Sequence, residues 1–205
     1  MTGALTWGLL ATALAAIAVR RRSTAIVLVA LQSVGLGVYA LGNGHHSSRA
    51  LAVAAAIFTV KAVALPALLL LTVRGAPKRR LLANESPALP RLIAALAAGL
   101  AIEQLIPSFG VTDPGIEHAA VGMLALGIGI AVVRRAVMFQ ALGFLIAENG
   151  IYLAGLSLPG GLPGFIELGL AFDLVVTLSV AAAFATKIHE TLGSGDTSVL
   201  DALRD

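Results

Sequence analysis

The sequence predicts an all-α, polytopic integral membrane protein of about seven transmembrane helices, with the N-terminus outside and the C-terminus cytoplasmic. Three observations carry this prediction. The 205 residues are 58% hydrophobic and only 12% charged, too little polar material to cover a soluble domain. Seven apolar stretches, near 3–19, 23–42, 50–73, 91–107, 116–133, 136–157 and 164–187, have the length of roughly 17–25 helical residues that a hydrocarbon core requires. The Lys and Arg residues then sort by side. If the helices alternate, Arg20, Arg21, Arg22, Arg74, Lys78, Arg79, Arg80, Arg91, Arg134, Arg135, Lys187 and Arg204 all fall on one side. Only Arg49 falls on the other, and Lys61 lies within a stretch. Cytoplasmic loops carry such an excess of positive charge, which sets the orientation.

The elements follow in chain order. The first stretch has no basic residues before it and three arginines after it, the opposite of a secretory leader, so it is expected to be a retained first helix. The outer connections GNGHHSS, PSFGVTDPG and SLPGGLPG are short and rich in turn formers. Residues 74–91 form the longest connection and are expected to be a cytoplasmic linker. It divides a three-helix unit, 1–73, from a four-helix unit, 92–187. The tail 188–205 is polar, a solvated terminus or a docking element. A displacement of 113 residues pairs Arg21 with Arg134, Gly37 with Gly150, Tyr39 with Tyr152 and Gly42 with Gly155. That pattern suggests a parallel internal repeat.

Composition also excludes chemistry. Cysteine is absent, so the chain holds no disulfide, no thiolate-ligated iron–sulfur or nickel–iron centre and no cysteine nucleophile. No P-loop, dinucleotide fingerprint or Ser–His–Asp arrangement stands in the loops. His45, His46 and His118 share the outer level, but two adjacent histidines and a distant one make poor metal ligands, and no metal is expected. The net charge of +3 is explained by orientation, so no nucleic-acid partner is expected.

The chemistry-bearing residues are the charges at membrane depth. Lys61 stands in AIFTVKAVALPALLLL, Glu148 in GFLIAENGIYLAG and Asp173 in IELGLAFDLVVTLSV. A charge at the centre of the bilayer costs about 2.5–3.5 kcal/mol on insertion scales. Such residues therefore pair, face a hydrated interior or exchange protons. Each alone reads equally as a structural ion pair. Three at similar depth point to a polar path, which Thr59, Asn149, Glu167 and Thr177 would line, although intramembrane threonines commonly bond back to their own helix. Thr177 is one turn from Asp173, whereas Glu167 is six positions away on another face. Pro66 predicts a kink, because it cannot donate to the carbonyl of Ala62.

The segments TVKAVALP, AENGIYL, IELGLAFD and KIHETLGSGD together resemble the hydrogenase-4 component E family, over nearly the whole chain and most densely in 137–205. That family supplies the integral-membrane subunit of formate hydrogenlyase-type and related group 4 hydrogenase complexes. The last two helices are also similar to those of the K subunit of respiratory complex I and the C subunit of multi-subunit sodium/proton antiporters. The resemblance implies a multi-pass subunit of a bacterial or archaeal cell membrane. It would have no active site or cofactor of its own, and would lie beside antiporter-like subunits under a cytoplasmic nickel–iron hydrogenase arm. Glu148 and Asp173 would then be the paired helix acids, and Lys61, Glu148 and Asp173 would take part in proton translocation or coupling. Two other readings stand beside this one: a subunit of a sodium/proton antiporter, and a structural scaffold whose charges only lock helices together.

Overall fold

The computed structural model describes residues 2–19, 21–43, 59–64, 66–67, 69–70, 88–105, 110–111, 113–134, 136–158 and 179. Nearly all of them are helical. In chain order they form α1 (Thr2–Ala18), α2 (Arg22–Asn43), a π-helical turn (Val60–Ala64), α3 (Ala88–Leu105), α4 (Pro114–Val133) and α5 (Val137–Ser157). Three segments, Arg22–Gly42, Pro114–Val133 and Met138–Ser157, are long and apolar enough to cross a membrane, and Gly3–Ala18 is a shorter apolar helix.

Local chemistry sets two helix starts earlier than the apolar runs suggest. α4 begins at Pro114 because Asp113 caps it: Oδ1 accepts from the Gly115 amide at 2.9 Å, and proline fits the first position, where no N–H is needed. α3 begins at Ala88, three residues before the expected start at 91, because Pro90 falls in the first turn, where its missing donor costs nothing. Its first residues thus belong to what the sequence reads as linker.

The helices invert the polarity of a soluble protein. Their outer faces carry Trp7, Val27, Leu31, Val38, Leu100 and Val132, all exposed. Buried inside are Gln32, Ser33, Lys61, Arg134 and Asn149 beside the apolar core of Leu9, Ile17, Ile26, Met123, Phe139, Leu145 and Leu153. Apolar residues all round a helix belong where the surroundings are themselves apolar.

α4 and α5 make the most extensive contact, α4 also packs on α3 and α1, and α2 packs on α1, α5 and the π turn. Gly127 lies against Gly143, and Ala120 against Gly150, so α4 and α5 run antiparallel. A Cβ on Gly127 or Gly143 would fall within 3 Å of backbone atoms of the other helix, so only glycine lets the two main chains approach this closely. By contrast, α2 and α5 run parallel. Their hydrogen bonds join residues 32 and 33 to 149, and 39 to 157, at separations of 116 to 118. Displaced by 113, Thr2–Ala18 falls on 115–131 and Arg22–Asn43 on 135–156, close to the bounds of α4 and α5. Two similar hairpins therefore pack side by side in the same sense.

Candidate functional site

Lys61 and Glu148, 87 positions apart in sequence, meet inside the bundle. Lys61 comes from the π turn and Glu148 from the middle of α5, with Nζ and Oε1 2.8 Å apart and the side chains only 5% and 14% exposed. At this distance the ammonium and carboxylate form a close ion pair. Tyr152, one turn beyond Glu148, brings its ring centroid to 4.8 Å from Nζ. An ammonium so placed is held by the carboxylate on one side and an aromatic face on another, the latter worth about 0.5–2 kcal/mol. Tyr152 had no place among the expected site residues. Its signal is positional: an aromatic four residues from a helical acid shares that acid's face.

Asn149 points elsewhere. It is fully buried, and its Nδ2 donates to Gln32 Oε1 at 3.1 Å and to Ser33 Oγ at 3.4 Å on α2. Gln32 Nε2 in turn donates to the Leu9 carbonyl on α1 at 3.0 Å, and Ser33 Oγ to the Val29 carbonyl at 3.1 Å. The direction of this chain is set at its end. A carbonyl only accepts, so Gln32 turns its NH2 to Leu9, offers its oxygen to α5, and leaves Asn149 to donate. Among the described residues, Glu148 Oε2 and Asn149 Oδ1 are buried without a hydrogen-bond partner. Gln32 and Ser33 also went unremarked in sequence, although a glutamine inside VLVALQSVGLG is a signal that the helix has a polar neighbour.

The other expected residues divide. Thr59 is exposed, two positions before Lys61. Pro66 is buried in the helical residues after the π turn, and the backbone irregularity lies at 60–64, immediately before it. Asp173, Thr177 and Glu167 lie outside the described residues, as do His45, His46, Arg49, residues 74–87 of the linker and the tail 188–205. Among the described residues no cluster of three metal-ligating side chains occurs. His118 is exposed, with Nδ1 on the Pro114 carbonyl of its own helix at 2.5 Å.

Arg134, which the sequence places among the orienting charges, has a structural task as well. It is 1% exposed, its guanidinium lies 3.3 Å from the Phe139 ring centroid, and it donates to the carbonyls of Ile17 at 3.4 Å and Val19 at 3.3 Å. These carbonyls end α1, where a cation complements the helix dipole. The arginine thus ties α1 to the α4–α5 connection.

Comparison with known proteins adds the following. The chain is 30% identical over 199 residues to the uncharacterized protein Rv0085 of Mycobacterium tuberculosis, covering 91% of this chain and 88% of that one. It is 29% identical over 154 residues to hydrogenase-4 component E of Escherichia coli K12, covering 73% of this chain and 71% of that protein, and equally to that of Shigella flexneri. No family model matches the chain, and no solved structure matches it significantly.

Proposed function

The chain belongs to one family with the mycobacterial protein Rv0085; from this, and from its similarity to hydrogenase-4 component E, we propose that it is a non-catalytic membrane-arm subunit of a multi-subunit hydrogenase complex. Its part in that complex is coupling through intramembrane charge. The observation that carries this reading is the Lys61–Glu148 pair, buried between two helices and 2.8 Å apart.

The physical argument starts from cost. A lone charge in apolar surroundings is expensive, and a paired one much less so. While the pair is closed, ammonium and carboxylate satisfy one another. When a neighbouring subunit draws them apart, neutralisation relieves each: Glu148 takes up a proton, or Lys61 gives one up. Closure reverses the exchange. On this reading Asp173 on the seventh stretch extends the path, with Glu167 towards its outer end, Thr177 one turn to the inner side, and Thr59 and Asn149 beside its centre. Seven spans with the N-terminus outside, a cell-membrane location, antiporter-like neighbours and a cytoplasmic nickel–iron arm complete the proposal.

The test is Glu148→Gln in the assembled complex. The complex should assemble and turn over hydrogen, while ion translocation per turnover falls at least severalfold. Full coupling in an assembled mutant would refute the relay. A scaffold reading has its own support: the Asn149–Gln32–Leu9 chain shows that this bundle also uses buried polar contacts between helices that carry no charge. If the charges only hold helices together, replacing Lys61 and Glu148 jointly by Met and Leu leaves coupling unchanged.

A further inference from the structure

Lys61 is carried by an irregular piece of backbone. Val60–Ala64 is a π turn, wider by about one residue than an α turn, and Pro66 stands buried two positions beyond it. Proline has no N–H, and its ring crowds the carbonyl four residues earlier, which is that of Ala62. The N–H is missing in either register, but only the α register carries that clash. Opening the turn moves the crowded carbonyl away. The proline thus removes the advantage that α winding normally holds over π, and whatever else grips the segment decides the register. The ion pair grips it at Lys61, beside its packing on α2.

We propose that Val60–Ala64 is a register switch for Lys61. In the π turn the ammonium rests on Glu148; closing the turn to α carries it one residue position, about 100°, round the helix axis and off the carboxylate. Neighbouring residues mark where it goes. Val60 and Ala62 are half-buried and Thr59 and Val63 exposed, so a one-residue rotation takes Lys61 from the innermost line of the segment to a half-buried one. Leu69, buried in the core, holds the downstream end, so residues 59–61 do the turning. The switch opens the pair without unfolding a helix, which a rigid segment cannot do. It rests on the reading of Lys61–Glu148 as a working pair, but its test measures backbone geometry and needs no hydrogenase activity.

The chain has no cysteine, so labels can be placed singly. Spin labels on Thr59→Cys and Ile128→Cys, both exposed positions, would report the distance from the turn to α4 in the full chain reconstituted in lipid nanodiscs. A rotation of 100° at the side-chain radius of a helix moves the label by about 8 Å. The native pair should give one dominant distance. Glu148→Gln and Lys61→Met, which release the grip from either side, should each shift the population to a second distance several ångströms away. Pro66→Ala, which lifts the clash from the α register, should populate that same second distance. Glu148→Asp, which keeps the charge, should retain the first. Unchanged distances in all the variants overturn the switch. A shift with Pro66→Ala but with neither charge variant overturns the claim that the pair sets the register. Failure here leaves the coupling reading to the translocation assay, and failure there leaves these distances unchanged.

Discussion

Removing both members of the Lys61–Glu148 pair should cost far less stability than removing either one. At an effective dielectric constant near 20, unit charges 2.8 Å apart attract by about 6 kcal/mol. Most of this offsets the desolvation of the two groups, so the intact pair contributes little net stability, and an apolar replacement of similar volume is about neutral. A single truncation is different, because it leaves a buried charge with no counterpart. Glu148→Leu strands an ammonium 5% exposed, and Lys61→Met strands a carboxylate 14% exposed, each at a cost of about 3–5 kcal/mol. Tyr152 softens the first loss by at most about 2 kcal/mol, since its ring still faces the ammonium. The double variant should then lie within about 1 kcal/mol of the native chain, a coupling of several kcal/mol. The measurement is unfolding of the purified chain in mixed micelles by a denaturing detergent, followed by circular dichroism. Additive single losses, with the double variant worst of all, would refute the argument that the two charges compensate one another.

Three other outcomes follow from the packing. Gly150→Val should loosen the α4–α5 hairpin by about 1–3 kcal/mol, because even its Cβ would meet the Ala120 carbonyl at 2.6 Å and the Leu124 amide at 2.8 Å; unfolding midpoints check it. Asn149→Leu should destabilise by about 1–3 kcal/mol by leaving Gln32 Oε1 buried without a donor, and Gln32→Leu combined with it should restore part of the loss in the same assay. Arg134→Ala should cost about 2–4 kcal/mol through two lost carbonyl contacts and the Phe139 stack, with hydrogen exchange rising selectively at the end of α1.

Much of the fold was legible because apolar length and turn composition act locally. The stretches at 3–19, 23–42, 116–133 and 136–157 correspond to α1, α2, α4 and α5 within a few residues, and Asp113–Pro114 is a start signal that reads plainly once caps are considered. The offset of 113 rests on few identities; displaced by it, the bounds of α1 and α2 fall close to those of α4 and α5. The site was legible in part. Cost at membrane depth singles out Lys61 and Glu148 one by one, but their meeting depends on how the third segment lies against α5, which no local pattern encodes. Gln32 signals a polar neighbour by its apolar setting, but not which one, because its partners come from α1 and α5. Arg134 was read for the sign of its charge, and sign alone does not distinguish a residue facing water from one capping a neighbouring helix. The π turn was anticipated only as a proline kink; which register the backbone adopts there depends on contacts made far along the chain.

The glycine contact between α4 and α5 has a mechanical consequence. Where two main chains touch with no side chains between them, neither can slide, because any axial slip drives a methyl group into a peptide plane. The hairpin therefore behaves as a single plank, and Glu148 is bolted to it. A push delivered to the outer surface of α4 is thus shared by the α5 backbone that carries Glu148.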